Sequence, residues 1–141
     1  MQPSKAQAYA YKETKLKTAS QGQMIVLLYD GAIRNMDKAI ELLSANTKQF
    51  DEVNAAVMKA RDIVTELICS LDMENGGEFA QRIFNLYMWF NEQMTDANLK
   101  KNPEPIKTVR QMMDELRSAW VQIVPTTHVE GRSVNGVNLA G

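Results

Sequence analysis

From Val26 to Ile123, apolar side chains recur three and four positions apart in four successive segments, interrupted only by short polar, glycine-bearing or proline-bearing stretches. That spacing follows the 3.6-residue turn of an α-helix and puts each set on one face. The first stripe is Val26, Tyr29, Ile33, Met36, Ile40 and Leu43, and the second is Val53, Val57, Ala60, Val64, Leu67 and Leu71. Phe79, Ile83, Leu86, Phe90, Met94 and Ala97 form the third; Ile106, Val109, Met113, Leu116, Trp120 and Ile123 form the fourth. Four such stripes must bury one another, and short connections make neighbours antiparallel. The pattern therefore predicts an all-α chain folded as an antiparallel four-helix bundle.

The breaks carry their own physical reasons. Ser20 is a good N-cap with Gln23 three residues on, the spacing of a capping box. Ser44 to Lys48 reads as a polar connection, and Asn75-Gly76-Gly77 stops the second helix because glycine adopts left-handed conformations readily. Asn102-Pro103 pairs a capping residue with a proline at the first helical position, and Pro125 is expected to end the last helix. Residues 1–17 hold four lysines, one glutamate and little apolar periodicity, which predicts a mobile N-terminal arm. The bundle domain is expected over 18–124. Residues 125–141, rich in glycine and polar residues, are expected to be a flexible, disordered tail.

Composition removes several classes of function. A net charge of -1 argues against a nucleic-acid binder, which carries a large positive excess. No stretch approaches the ~18 to 20 apolar residues needed to span a bilayer, and residues 1–12 have no apolar signal core, so no membrane insertion is expected. One cysteine, Cys69, forms no internal disulfide framework and suits a reducing compartment, the cytosol. The sole histidine, His128, lies in the tail, so the Glu-x-x-His sets of bundle metal sites are missing. Asp72-x-Glu74 faintly suggests a calcium loop, but the twelfth position is Ile83, where a glutamate belongs. No phosphate-cradling glycine loop and no nucleophile motif occurs, so no catalytic residue, metal or cofactor is expected. Charged residues such as Lys38, Glu41, Arg61 and Asp62 read as solvated faces.

Apolar residues exceed what the stripes require. Met24 to Tyr29 are six consecutive apolar residues, and Met24, Leu27 and Leu28 fall roughly 110° or more from the centre of the first stripe. In the third helix Phe84 and Trp89 fall on opposite flanks and Met88 nearly opposite the stripe. On the residues alone, these side chains are either additional core or a surface covered by another chain.

Several segments in order carry a resemblance. Thr18-Ala19-Ser20 with Leu27-Leu28-Tyr29-Asp30-Gly31-Ala32 resembles the first bundle helix of FliS-type flagellin export chaperones. Leu71-Asp72-Met73-Glu74 with Gly76-Gly77-Glu78 resembles that family's central turn, and Leu86-Tyr87 the helix that follows it. Glu115-Leu116-Arg117 with Ala119-Trp120 resembles its last helix, so the likeness covers roughly Tyr11 to Val124. The departure is Gln21-Gly22, where the family commonly has a proline and a second polar residue.

The resemblance implies a bacterial cytosolic chaperone without enzymatic activity. It would bind the C-terminal helical segment of flagellin, prevent premature polymerisation and support delivery to the flagellar type III export apparatus. Met24, Leu27, Leu28, Ala32, Phe84, Met88 and Trp89 are then the expected partner-binding residues. Tyr9, Tyr11 and Leu16 of the arm would act as a movable cover over part of that surface. The competing reading is a structural homodimer that uses the same surplus as a self-interface.

Overall fold

The computed structural model describes residues 21–140, with side chains described as far as Ile123. Four helices follow one another: α1 Gln21–Ser44, α2 Phe50–Cys69, α3 Gly77–Lys100 and α4 Glu104–Ala140. No strand occurs among the described residues.

Local chemistry fixes the ends of these helices. α1 closes on Asn46 at φ 56°, with the Thr47 N–H bonded to the Leu42 carbonyl at 3.2 Å and the Asn46 N–H to that of Leu43 at 3.1 Å. α3 ends the same way on Lys101 at φ 52°, with Asn102 N–H on the Ala97 carbonyl and Lys101 N–H on that of Asn98. Both are Schellman closures built on a residue other than glycine. Between α2 and α3 the two glycines do different work. A Cβ on Gly76 would lie 2.5 Å from the Ala80 Cβ and 2.6 Å from the Asp72 carbonyl oxygen, whereas Gly77 has free space but needs φ +57°. Asn102 Oδ1 accepts the Glu104 N–H at 3.1 Å, the cap expected at the start of α4.

The contacts divide the chain into two units, one Leu28–Arg117 and the other Met1–Leu27 with Ser118–Gly141. The first holds the bundle core. Asp37 pairs with Arg110 and Asp30 with Arg117, so α1 and α4 run in opposite directions. Thr65 with Asn91 and Asn54 with Asn98 give the same result for α2 and α3. Gly31 faces α2, where an added Cβ would sit 3.1 Å from Ile63 Cδ1; the missing side chain sets how closely the helices approach.

The core contains Tyr29, Met36, Val53, Val57, Val64, Leu67, Phe90, Met94, Ile106, Val109 and Met113, all essentially without solvent contact. Tyr29 and Tyr87 are bonded through their hydroxyls at 2.6 Å in the interior, which satisfies groups that would be costly to bury alone. The third stripe is shifted from the expected one. Phe79 is 67% exposed, and Ala80 and Tyr87 are buried beside Phe90, Met94 and Ala97. Phe79 sits in the opening turn of α3 immediately after the Gly77 turn, at the end of the bundle. Ile123, placed in the fourth stripe, is 59% exposed.

In the second unit side chains are described for residues 21–27 and 118–123. There Met24, Ile25, Val26 and Trp120 are half-buried and Leu27 is 52% exposed. α4 runs to Ala140, past Pro125, where the sequence predicts an end. The arm before Gln21, and the side chains from Val124 onward, lie outside the described residues.

Candidate functional site

The α2/α3 seam is joined by neutral side chains. Asn98 Nδ2 donates to Asn54 Oδ1 at 2.8 Å, and Asn91 Nδ2 donates to Thr65 Oγ1 at 3.3 Å. Beside these bonds lies an open groove of about 570 Å³, walled by Arg61, Thr65 and Ile68 of α2 and by Met88, Asn91, Glu92, Thr95, Asp96 and Leu99 of α3. Positions 88, 92, 95 and 99 recur every three or four residues, so one face of α3 supplies its wall. Met88 is 44% and Leu99 79% exposed, side chains that gain from being covered.

The groove also has a polar side. Arg61 Nε and Asn91 Oδ1 are buried without a hydrogen-bond partner, although Arg61 Nη1 reaches Met58 Sδ at 3.6 Å. Asp96 pairs with Lys100 at 3.1 Å on the exposed surface. The Glu92 carboxylate has no hydrogen bond or ion pair among the described residues.

Elsewhere two charged side chains are held by close partners. Arg110 grips Asp37 through Nε at 2.8 Å and Nη2 at 3.4 Å, and this hydrogen bonding raises the guanidinium pKa further above its ordinary value. Asn75 donates side-chain and backbone hydrogen bonds to Asp72, which hold that carboxyl below the usual carboxylate range. Burial raises the Tyr87 hydroxyl pKa, partly offset by its bond to Tyr29. No group of histidine, cysteine or carboxylate side chains among the described residues could hold a metal ion. No helix among them is long and apolar enough to cross a membrane. Such a surface can hold a partner by burial and charge, without a covalent step.

The residues expected to bind a partner are not gathered in one place. Met88 lines the α2/α3 groove. Trp89, 36% exposed, is about 100° further round α3 and packs its ring against Phe90 at 6.1 Å between centroids. Phe84 and Leu28 are half-buried. Met24 is half-buried and Leu27 exposed in the other unit. Ala32 is fully buried in the core and presents no surface, because α1 turns it toward the interior with Tyr29, Ile33 and Met36. Tyr9, Tyr11 and Leu16 lie outside the described residues.

Sequence reading missed Ile68, Arg61, Asn91 and Leu99 as a group. The signal available was the run from Met88 to Leu99 on the outer flank of α3; its α2 partners become visible only when the two helices are side by side.

The sequence matches the family model of the flagellar protein FliS over residues 4–127. It is 33% identical to the flagellar secretion chaperone FliS of Salmonella typhimurium, covering 86% of this chain and 89% of that protein. With the flagellar secretion chaperone FliS of Vibrio cholerae it shares 31% identity over 84% of this chain and 89% of the relative. The corresponding Escherichia coli protein is 30% identical over 81% and 85%. A four-helix bundle with an open, partly apolar seam and a match over nearly its whole length together place this chain in the FliS family of flagellar secretion chaperones.

Proposed function

We propose that this chain is a cytoplasmic carrier of flagellin: it holds the C-terminal helical segment unpolymerised and brings it to the flagellar export apparatus. The observation that carries this reading is the exposed apolar surface on the outer flank of α3, Met88 and Leu99 above all, on a bundle whose core is already complete. A bundle seam suits the helix-in-groove mode, in which apolar anchors at helical spacing insert between two helices. Covering those anchors hides the surface through which flagellin subunits would pack. Because the segment orders as it binds, part of the interaction energy is offset by lost chain entropy, which favours release at the export step. The arm residues Tyr9, Tyr11 and Leu16 are proposed as a reversible cover, two tyrosines and a leucine in an otherwise polar stretch.

Titration of the full chain with a peptide from the flagellin C-terminus, followed by calorimetry and far-ultraviolet circular dichroism, tests the proposal. Saturable heat, a negative heat-capacity change and added helicity are expected. A peptide that produces neither heat nor helicity removes the reading. Deleting residues 1–14 is expected to tighten binding or leave it unchanged; a large loss of affinity in the folded truncation contradicts the cover role.

A further inference from the structure

We propose that Asn75 is a site of spontaneous deamidation held in check by Asp72: the Gly76 nitrogen displaces the Asn75 amide when the α2/α3 turn opens, leaving aspartate or β-linked aspartate at position 75. This goes beyond the carrier reading and does not depend on it.

The turn requires a chemically labile pair. An asparagine followed by glycine closes a ring onto the next backbone nitrogen most readily, because no side chain shields that nitrogen. At position 76 packing imposes the glycine: an added Cβ would lie 2.5 Å from the Ala80 Cβ and 2.6 Å from the Asp72 carbonyl oxygen. Asn75 is in use as well. Its backbone N–H donates to Asp72 Oδ1 at 3.1 Å and its Nδ2 donates to Oδ2 at 2.9 Å, so one carboxylate grips the residue at two points. Asn75 is exposed, and water reaches it.

The same contacts keep the reaction from starting. The Gly76 N–H donates to the Asp72 carbonyl at 2.8 Å, closing a single helical turn over residues 72–76. To reach Asn75 Cγ, the Gly76 nitrogen must rotate about the Asn75 Cα–C bond, which breaks this hydrogen bond, and the side-chain amide must leave Asp72 Oδ2. Asp72 therefore restrains the nucleophile with its carbonyl and the electrophile with its carboxylate. The Asn75 side-chain bond, and then its N–H, hold that carboxyl ionised below the usual range. When the turn opens locally, the Gly76 nitrogen bonds to Cγ, its proton passes to Nδ2, the Cγ–Nδ2 bond breaks and ammonia departs. Water then adds to either carbonyl of the ring and opens it to aspartate or to the β-linked form; no electron is transferred. Either product replaces the Nδ2 donor with a second negative charge near Asp72. The β-linkage also adds a methylene to the main chain within the turn, so the clasp does not re-form.

The test follows position 75 by peptide mapping and mass spectrometry while the full chain, folded or unfolded in urea, is held at neutral pH. Asn135-Gly136, the other such pair in the sequence, is the internal reference. Asn75 is expected to convert about tenfold more slowly in the folded chain than in the unfolded one. Asp72→Ala is expected to speed conversion of Asn75 in the folded chain about three- to tenfold, with Asn135 unchanged. Asp72→Asn keeps one accepting oxygen and should fall between; it carries the test if Asp72→Ala folds poorly. Ile106→Val trims a fully buried side chain of α4 without touching the turn, so it separates a local guard from a general loss of stability and should leave the Asn75 rate within about twofold. Equal rates at Asn75 in the folded and unfolded chain would overturn the assignment. So would an Asp72→Ala rate within twofold of the unaltered chain, an equal acceleration at Asn75 and Asn135, or an Ile106→Val chain that converts Asn75 as fast as Asp72→Ala.

Discussion

Two seams of the bundle are closed by opposite chemistry. Along α1/α4, Asp37 meets Arg110 in a two-point grip and Asp30 meets Arg117, two turns apart on each helix. Along α2/α3 the cross-helix bonds are neutral, Asn98 to Asn54 and Asn91 to Thr65, and next to them an open groove leaves Met88, Leu99 and Glu92 without a partner from the described chain. The difference is instructive because both seams cover the same core. A seam whose charges complete each other offers little to a visitor, whereas one with uncovered apolar atoms and an unanswered carboxylate gains by being covered.

The largest expected effect lies beneath both seams. Phe90 is fully buried and touches the rings of Tyr87 and Trp89, so Phe90→Ala should lower the unfolding free energy by about 3–5 kcal/mol in urea titration. One cooperative transition is expected; two separated transitions would mean that the seams unfold independently and share no core. Next comes the charged seam itself. Asp30 and Arg117 are only about one-third exposed, so Arg117→Ala should cost about 1–2 kcal/mol. Asn54→Ala on the neutral, exposed seam should cost under about 1 kcal/mol. Raising salt from 0.1 to 1 M should shrink the first loss and leave the second unchanged; equal salt responses would erase the distinction between the seams.

A smaller effect concerns a contact that belongs to neither seam. Tyr87 bonds Tyr29 across the interior and its pKa is raised by burial above the ordinary value near 10. Above pH 10 the unfolded chain gives up this proton while the folded chain keeps it. Stability therefore falls as pH climbs from that point through the folded-state value, and is unaffected by this group below it. Tyr87→Phe should flatten that alkaline slope in denaturant titrations from pH 9 to 11; an unchanged slope means that another group causes it.

Much of the fold was legible because helical periodicity is local information. The second stripe, the breaks at Asn46, Gly76 and Asn102, and the inward faces of Ile33, Met36, Met94 and Met113 follow from spacing and turn chemistry alone. The third stripe slipped because Phe79 is apolar in sequence but stands at the bundle end, and because Tyr87, left out of the stripe, is buried with its hydroxyl on that of Tyr29, 58 positions away. The partners of Asp30 and Asp37 were not legible for the same reason: their arginines are 87 and 73 residues distant. Arg61, read as part of a solvated face, instead buries its Nε beside the groove. Of the candidate site, Met88 was readable as apolar surplus on α3. Ala32 was not separable from its apolar neighbours in sequence, and the Ile68 and Arg61 wall required the pairing of two helices.

Hydrogen exchange of the chain, alone and saturated with the flagellin C-terminal peptide, reads out which seam a bound segment covers. Slowed exchange concentrated on residues 61–68 and 88–99, with 30–37 and 110–117 unchanged, is the predicted result. Protection confined to the α1/α4 segments, or none anywhere at saturating peptide, would contradict it.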